Sequence, residues 1–150
     1  MGVCSEMAPA TLPSLSATSG RCFSVTIEGN PIGEFARCTG LEVTYEVLEY
    51  AEGGQNGFIH KLPGAVRYSN LVLTRGITNE TALLDWLTQF QQLDTRPGLI
   101  VQLLDGDGAA LRTWGFQSAF PVRWVGPTLA DETESATETL EIGHNGLVKQ

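Results

Sequence analysis

A chain of 150 residues supports one domain around one core and leaves no room for a multidomain machine. Its formal net charge of −8 and isoelectric point near 4.6 withhold the overall attraction to phosphate that nonspecific nucleic-acid binding requires. Hydrophobic residues at 42% against 17% charged exclude wholesale disorder, and 17 Gly with 7 Pro imply frequent turns, hence many short elements of a mainly β class.

Residues 1–20 are rich in Ser, Thr, Ala and Pro, the composition of an extension and not of a core segment. They have no basic start and no unbroken apolar run, so they are not expected to act as a secretory signal. Glu6 stands where a myristoylation site needs Ser or Thr, and no apolar stretch approaches bilayer-spanning length, so no membrane anchor is expected.

The domain proper is expected over 21–150. It opens with RCFSVTIEG, a turn at Asn30-Pro31-Ile32-Gly33, and EFARCTG, the pattern of a strand, a tight connection and a returning strand. Leu41, Val43, Tyr45 and Val47 then alternate with Glu42, Thr44 and Glu46, which places apolar side chains on one face and mostly acids on the other. Residues 51–64, AEGGQNGFIHKLPG, combine several glycines and a proline with polar residues and predict a long, functional loop.

RYSNLVLTR reads as the next strand. A helix follows over about 79–93, with a start at Thr78-Asn79-Glu80 and a stripe of Leu83, Trp86, Leu87 and Phe90 to pack on a sheet. Asp94 to Gly98 stop it, and the apolar run LIVQLL predicts a central strand buried on both faces. Beyond the Asp105-Gly106-Asp107-Gly108 turn, LRTWGFQSAFPVRWV predicts one or two strands broken near Ala119 to Pro121. PTLADETES is an acidic loop, and ATETLEIG a final alternating strand before a short tail.

Little in this chain could carry chemistry. Cys4, Cys22 and Cys38 are odd in number and lack the paired spacing of a zinc site, so reduced thiols are the simple reading. A hairpin about residue 30 would make Cys22 and Cys38 cross-strand neighbours. His60 and His144 sit in no nucleophile, zinc or phosphate-loop signature. The Asp105 turn lacks the further ligands of a calcium loop, and Gly53 to Gly57 lack the Lys-Ser or Lys-Thr of a phosphate cradle. No catalytic residue, metal or cofactor is expected, and the protein is not expected to be an enzyme. The acids are unevenly spread: Glu42, Glu46, Glu49 and Glu52, with Asp131, Glu132, Glu134, Glu138 and Glu141, mark two selectively acidic segments.

The segment 49–64, EYAEGGQNGFIHKLPG, resembles the signature of the myophage tail-tube family, which includes the inner tubes of extracellular contractile injection systems. GEFARCTGLEVTYEVLEY precedes it as in that family, LVLTRGITNETALLDWL follows it, and WGFQSAFPVRWVGPTLADETESATETLEIGHNGL resembles the closing region. The resemblance covers about residues 22–148. His60 departs from it, standing where a basic residue is frequent, and residues 1–20 have no counterpart.

The resemblance implies a β-sandwich or barrel-like subunit with one flanking helix, whose strands join a large closed barrel in a six-membered ring. Rings would stack into a hollow tube inside a contractile sheath, with itself, sheath, baseplate, cap and payload as partners. Assembly is expected in the cytoplasm, within a phage tail-like particle that is released outside the cell. Four strands from each of six subunits at ~4.8 Å spacing and ~40° tilt close a barrel roughly 45 to 50 Å across.

On this reading Glu42, Thr44, Glu46, Glu138 and Glu141 are candidates for the lumen wall, an acidic lining that would repel a polyanion. Gly53, Gly54, Asn56, Gly57, Phe58, Ile59, Lys61 and Leu62 are candidates for an intersubunit loop. The 1–20 extension is assigned to assembly contacts. Three other readings stand beside it: a phage tail tube conducting DNA, a monomeric acidic β domain binding a peptide or glycan, and, weakest, a hydrolase using paired carboxylates.

Overall fold

The computed structural model describes residues 21–54, 57–128 and 136–149. The 1–20 extension, Asn56 and the acids Asp131, Glu132 and Glu134 lie outside the described residues. Eleven strands and one helix follow in chain order among them. They are β1 (Cys22–Ile27), β2 (Asn30–Phe35), β3 (Arg37–Thr39), β4 (Val43–Tyr50), β5 (His60–Tyr68), β6 (Leu71–Gly76), α1 (Ala82–Leu93), β7 (Leu99–Leu104), β8 (Ala110–Gln117), β9 (Phe120–Val125), β10 (Thr137–Gly143) and β11 (Gly146–Val148).

Two antiparallel sheets face one another. One has the order β11-β8-β7-β1-β2 and the other β3-β6-β10-β9, while β4 and β5 pair only with each other. Alternation builds the core: Val25 and Ile27 from β1, Leu99 and Val101 from β7, Leu71 and Leu73 from β6, and Leu140 and Ile142 from β10 meet in a single buried cluster. Each such side chain contributes roughly 1.5–3 kcal/mol of burial. LIVQLL is the middle strand of its sheet, as the sequence predicts, although one of its faces is only half-buried.

The helix closes the side of the sandwich between the edge strands β2 and β9, with Leu83 and Trp86 buried. It begins later than the sequence predicts. Glu80, expected in its first turn, instead reaches Arg75, and Thr81 caps the helix through its backbone position, without a side-chain bond. At the other end Asp94 takes the left-handed conformation and returns its N–H to the Phe90 carbonyl, which stops the helix where expected.

The first hairpin turns at Glu28-Gly29, both at positive φ, and not at Asn30 to Gly33. Such a two-residue turn matches strand twist, and Asn30 and Pro31 become part of β2, an edge strand where a proline costs no ladder bond. The register moves accordingly: Phe23 stands opposite Phe35, and Cys38 crosses to the other sheet opposite Leu73. Cys22 and Cys38 are therefore not cross-strand neighbours. Cys22 is disulfide-bonded, against the expectation of reduced thiols throughout, while Cys38 is a free thiol that burial pushes up to about 11. The short tail predicted after the last strand holds a strand of its own, β11, paired with β8.

Candidate functional site

The last part of the loop predicted over 51–64, from His60 on, is strand. β4 and β5 form a long antiparallel ribbon joined by residues 51–59, and Lys61 and Leu62 lie within β5 opposite Glu49 and Leu48. Gly53, Gly54, Gly57, Phe58 and Ile59 remain at the exposed tip. Proline 63 and Gly64 masked the strand in the sequence. A register shift between Tyr45 and Val47 absorbs both, and a Cβ on Gly64 would press on Glu46 and Leu48.

The ribbon prolongs the four-stranded sheet, because β4 follows β3 and β5 leads into β6 after short kinks. Gly40 makes the kink possible: its φ is +88°, and a side chain there would overlap the carbonyl of Asn70. At the kink the alternation changes phase. Arg37 and Thr39 face outward from β3, whereas on β4 the polar residues are Thr44 and Glu46, with Glu42 just before them. Thr44 donates to Glu42 at 3.2 Å, Arg67 pairs with Glu46, and Asn70 donates to Glu141 at 2.8 Å. These contacts run along one polar face that continues the outer face of the four-stranded sheet.

That face is not uniformly acidic. Arg123 stands opposite Glu141, Arg37 opposite Thr74 and Arg67 against Glu46, so three arginines are interspersed with Glu42, Glu46 and Glu141. Among the described residues this face is mixed in charge, where the sequence suggests a mostly acidic one.

The opposite face of the ribbon is apolar and, among the described residues, uncovered. Val43, Tyr45 and Val47 share it with Val66 and Pro63 of β5, and Tyr45 and Val47 are 62% and 60% exposed. Near the tip Leu48, Tyr50 and Leu62 are exposed on the other side, joined by Phe58 and Ile59. A two-stranded ribbon with this much bare hydrocarbon is not stable on its own in water. The contribution of Val66 and Pro63 is invisible in LPGAVRY until the register is known.

Glu138 is corrected as a lumen candidate. It points into the sandwich, 6% exposed, where Arg75 Nε donates to it at 2.5 Å and Trp124 Nε1 at 3.1 Å. Arg75 also reaches Glu80 at 3.3 Å and stacks over the Phe35 ring at 4.9 Å. Gly33 makes room for the guanidinium, since any side chain there would overlap it. Alternation explains the error: Glu138 and Glu141 are three apart on β10 and must face opposite ways.

At the base of the ribbon His144 lies between Phe116 and Tyr68, with ring centroids at 4.6 and 5.6 Å, and Nε2 bonds with the Ser69 carbonyl at 3.1 Å. Burial lowers its pKa below the ordinary 6.5. The unfolded chain thus binds this proton more readily, so the stability His144 confers is fully present above about pH 6.5 and declines as pH falls below it. Thermal melts of His144→Phe are expected to lose that component of the pH slope between pH 6.5 and 5; an unchanged slope would place its origin elsewhere.

Among the described residues no group of His, Cys, Asp and Glu is disposed to hold a metal ion, and no helix is long and apolar enough to cross a membrane. Among the described residues the ribbon is exposed, and β3 and β9 are open edges of their sheet, as β11 and β2 are of the other.

Comparison with known proteins accords with such a surface. The chain is similar to a subunit of the PVC sheath-tube complex of an extracellular contractile injection system, in its extended state, with 26% identity, 84% of this chain and 86% of the other covered, and a TM-score of 0.68. It is similar also to a chain of the anti-feeding prophage (AFP) baseplate, with 25% identity over 94% and 95% of the two chains and a TM-score of 0.68. The fold recurs in a chain from the AFP tube-terminating cap, at 20% identity, 99% and 97% coverage and a TM-score of 0.70. No curated protein matches the chain by sequence. Residues 21–148 match the family described as T4-like virus tail tube protein gp19, which spans nearly all the described structure, and the chain belongs to that tail tube family.

Proposed function

We propose that this chain is the structural subunit of the inner tube of a contractile injection system, closing as six copies into rings that stack into a hollow tube. The observation that carries this reading is the β4–β5 ribbon, whose apolar face has no cover among the described residues. A further copy supplies that cover and at the same time relieves the open edges of β3 and β9, which otherwise invite uncontrolled pairing. The four-stranded sheet gives the four strands per subunit that a 24-stranded barrel needs, about 45 to 50 Å across.

Glu42, Thr44, Glu46 and Glu141 line the lumen in this arrangement, beside Arg37, Arg67 and Arg123. The tip, with Gly53, Gly54, Gly57, Phe58 and Ile59, reaches the adjacent ring, and the 1–20 extension adds a contact of its own. The tube carries payload, is driven through a target envelope when its sheath contracts, and meets baseplate and cap at its ends. It catalyses no reaction, recognises no nucleic-acid sequence, needs no cofactor and assembles in the cytoplasm before release.

Sedimentation velocity over a concentration series tests the reading, with ring-sized or larger species expected as concentration rises. A single folded monomer throughout the series would count against it. Replacing Phe58→Ser and Ile59→Ser is expected to weaken stacking while single rings and the monomer fold persist. Tubes of normal length from that variant would remove the tip from the stacking contact.

A further inference from the structure

The ring reading leaves open which residues meet where one copy joins the next, and the strand registers decide it. Hydrogen-bonded rows cross the four-stranded sheet from edge to edge. One runs through Arg37, Thr74, Thr139 and Val125, the next through Thr39, Val72, Glu141 and Arg123. β3 and β9 are the two outer strands, and the order of antiparallel pairs makes them antiparallel to each other when the sheet is continued by a second copy.

A closed barrel does not continue the same row into the next copy. Strands tilted by ~40° across four strands of ~4.8 Å force a stagger of about 16 Å, or about five residues, at each joint. The direction is fixed by topology. Before Arg37 the chain leaves for β2 in the other sheet, whereas after Thr39 its free edge continues along β4 to Tyr50. The stagger can only move β9 toward β4.

We infer that β9 of one copy pairs with β4 of the next so that Arg123 falls opposite Thr44, between Glu42 and Glu46. This rests on the ring reading and adds the register to it. Both faces match there, and a slip of one residue breaks both matches. On the polar side Arg123, which makes no ion pair among the described residues, enters between two carboxylates. On the other side Trp124, 39% exposed, lies opposite Val43 and beside Tyr45, so two bare apolar patches cover one another. An odd shift works only because the phase change at Gly40 moves the polar face from odd to even positions. A slip of one residue would set Arg123 against Tyr45 with Trp124 against Thr44, or Arg123 against Val43 with Trp124 against Glu42. The unstaggered register would instead bring Arg123 and Arg37 together on one face, a like-charge contact.

Paired cysteines test the register directly. Thr44→Cys combined with Arg123→Cys, oxidised in assembled rings, is expected to give a ladder of covalent multimers up to the hexamer on a non-reducing gel, and each single variant no ladder. Thr39→Cys with Arg123→Cys is the control for the unstaggered join and is expected to give none. A ladder from the control pair, or none from either pair while rings form, overturns the register. A wild type that forms no rings overturns the ring reading instead, so the two failures are distinguishable. As a second arm, Arg123→Glu is expected to raise the concentration needed for ring formation at least tenfold, and Glu42→Arg with Glu46→Arg in the same chain to restore it. Rings unaffected by Arg123→Glu would contradict the pairing.

Discussion

Arg75→Met is expected to destabilise the folded subunit by about 3 to 5 kcal/mol, the cost of leaving a buried carboxylate without its partner. The side chain of Arg75 is 1% exposed and that of Glu138 8%, so water cannot replace the missing guanidinium. Only the Trp124 indole would remain on Glu138, while Glu80, which is half exposed, would turn to solvent. For a chain of this size the loss lowers the melting temperature by about 10 °C or more. Glu138→Gln is expected to cost less, because the amide oxygen still accepts from one of the two donors and Arg75 keeps Glu80 as a charged partner. A melting temperature of Arg75→Met within a degree or two of the wild type would show that the cluster is solvated and would reopen the case for Glu138 as a surface residue.

The ribbon carries the second large effect. Tyr45→Ser with Val47→Ser is expected to abolish assembly while leaving the monomer folded, since neither side chain touches the sandwich core. If each buries its hydrocarbon against a neighbouring copy, the pair contributes roughly 3 to 5 kcal/mol to association. That raises the concentration needed for ring formation at least ~100-fold. Circular dichroism and thermal melting of the variant should match the wild-type monomer, with sedimentation velocity showing the loss of large species. Normal rings would mean that the apolar face of the ribbon is not an assembly surface.

Much of this was legible in the sequence because alternation is simple to read where nothing interrupts it. The alternating strand, which the structure places at Val43–Tyr50, the helical stripe of Leu83 and Trp86, and the central run LIVQLL were each found. What escaped was set by backbone irregularities. The turn at Glu28-Gly29 depends on positive φ at a glutamate, which its side chain does not advertise. The first half of β5 reads as a loop because Pro63 and Gly64 occur inside it, and the register shift that tolerates them depends on its partner strand. Glu138 was taken for a surface acid because the arginine that neutralises it is 63 residues away in sequence. The mixed charge of the outer face was hidden for the same reason, since Arg37, Arg67 and Arg123 come from three distant segments and meet Glu42, Glu46 and Glu141 only after the sheet has formed.

Gly33 and Gly40 show how these irregularities serve the assembly surface. The first leaves space for the buried guanidinium that ties β6 and β10 to the entry of the helix. The second bends the sheet into the ribbon and shifts the polar face by one residue, so that the same polar surface runs along both.

Negative-stain electron microscopy of the purified protein across a concentration series, with and without a baseplate-containing lysate as template, tests the central claim most directly. Six-fold rings and hollow stacks with a barrel about 45 to 50 Å across are the expected result. Well-folded monomers that form no ring under either condition would contradict the tube reading.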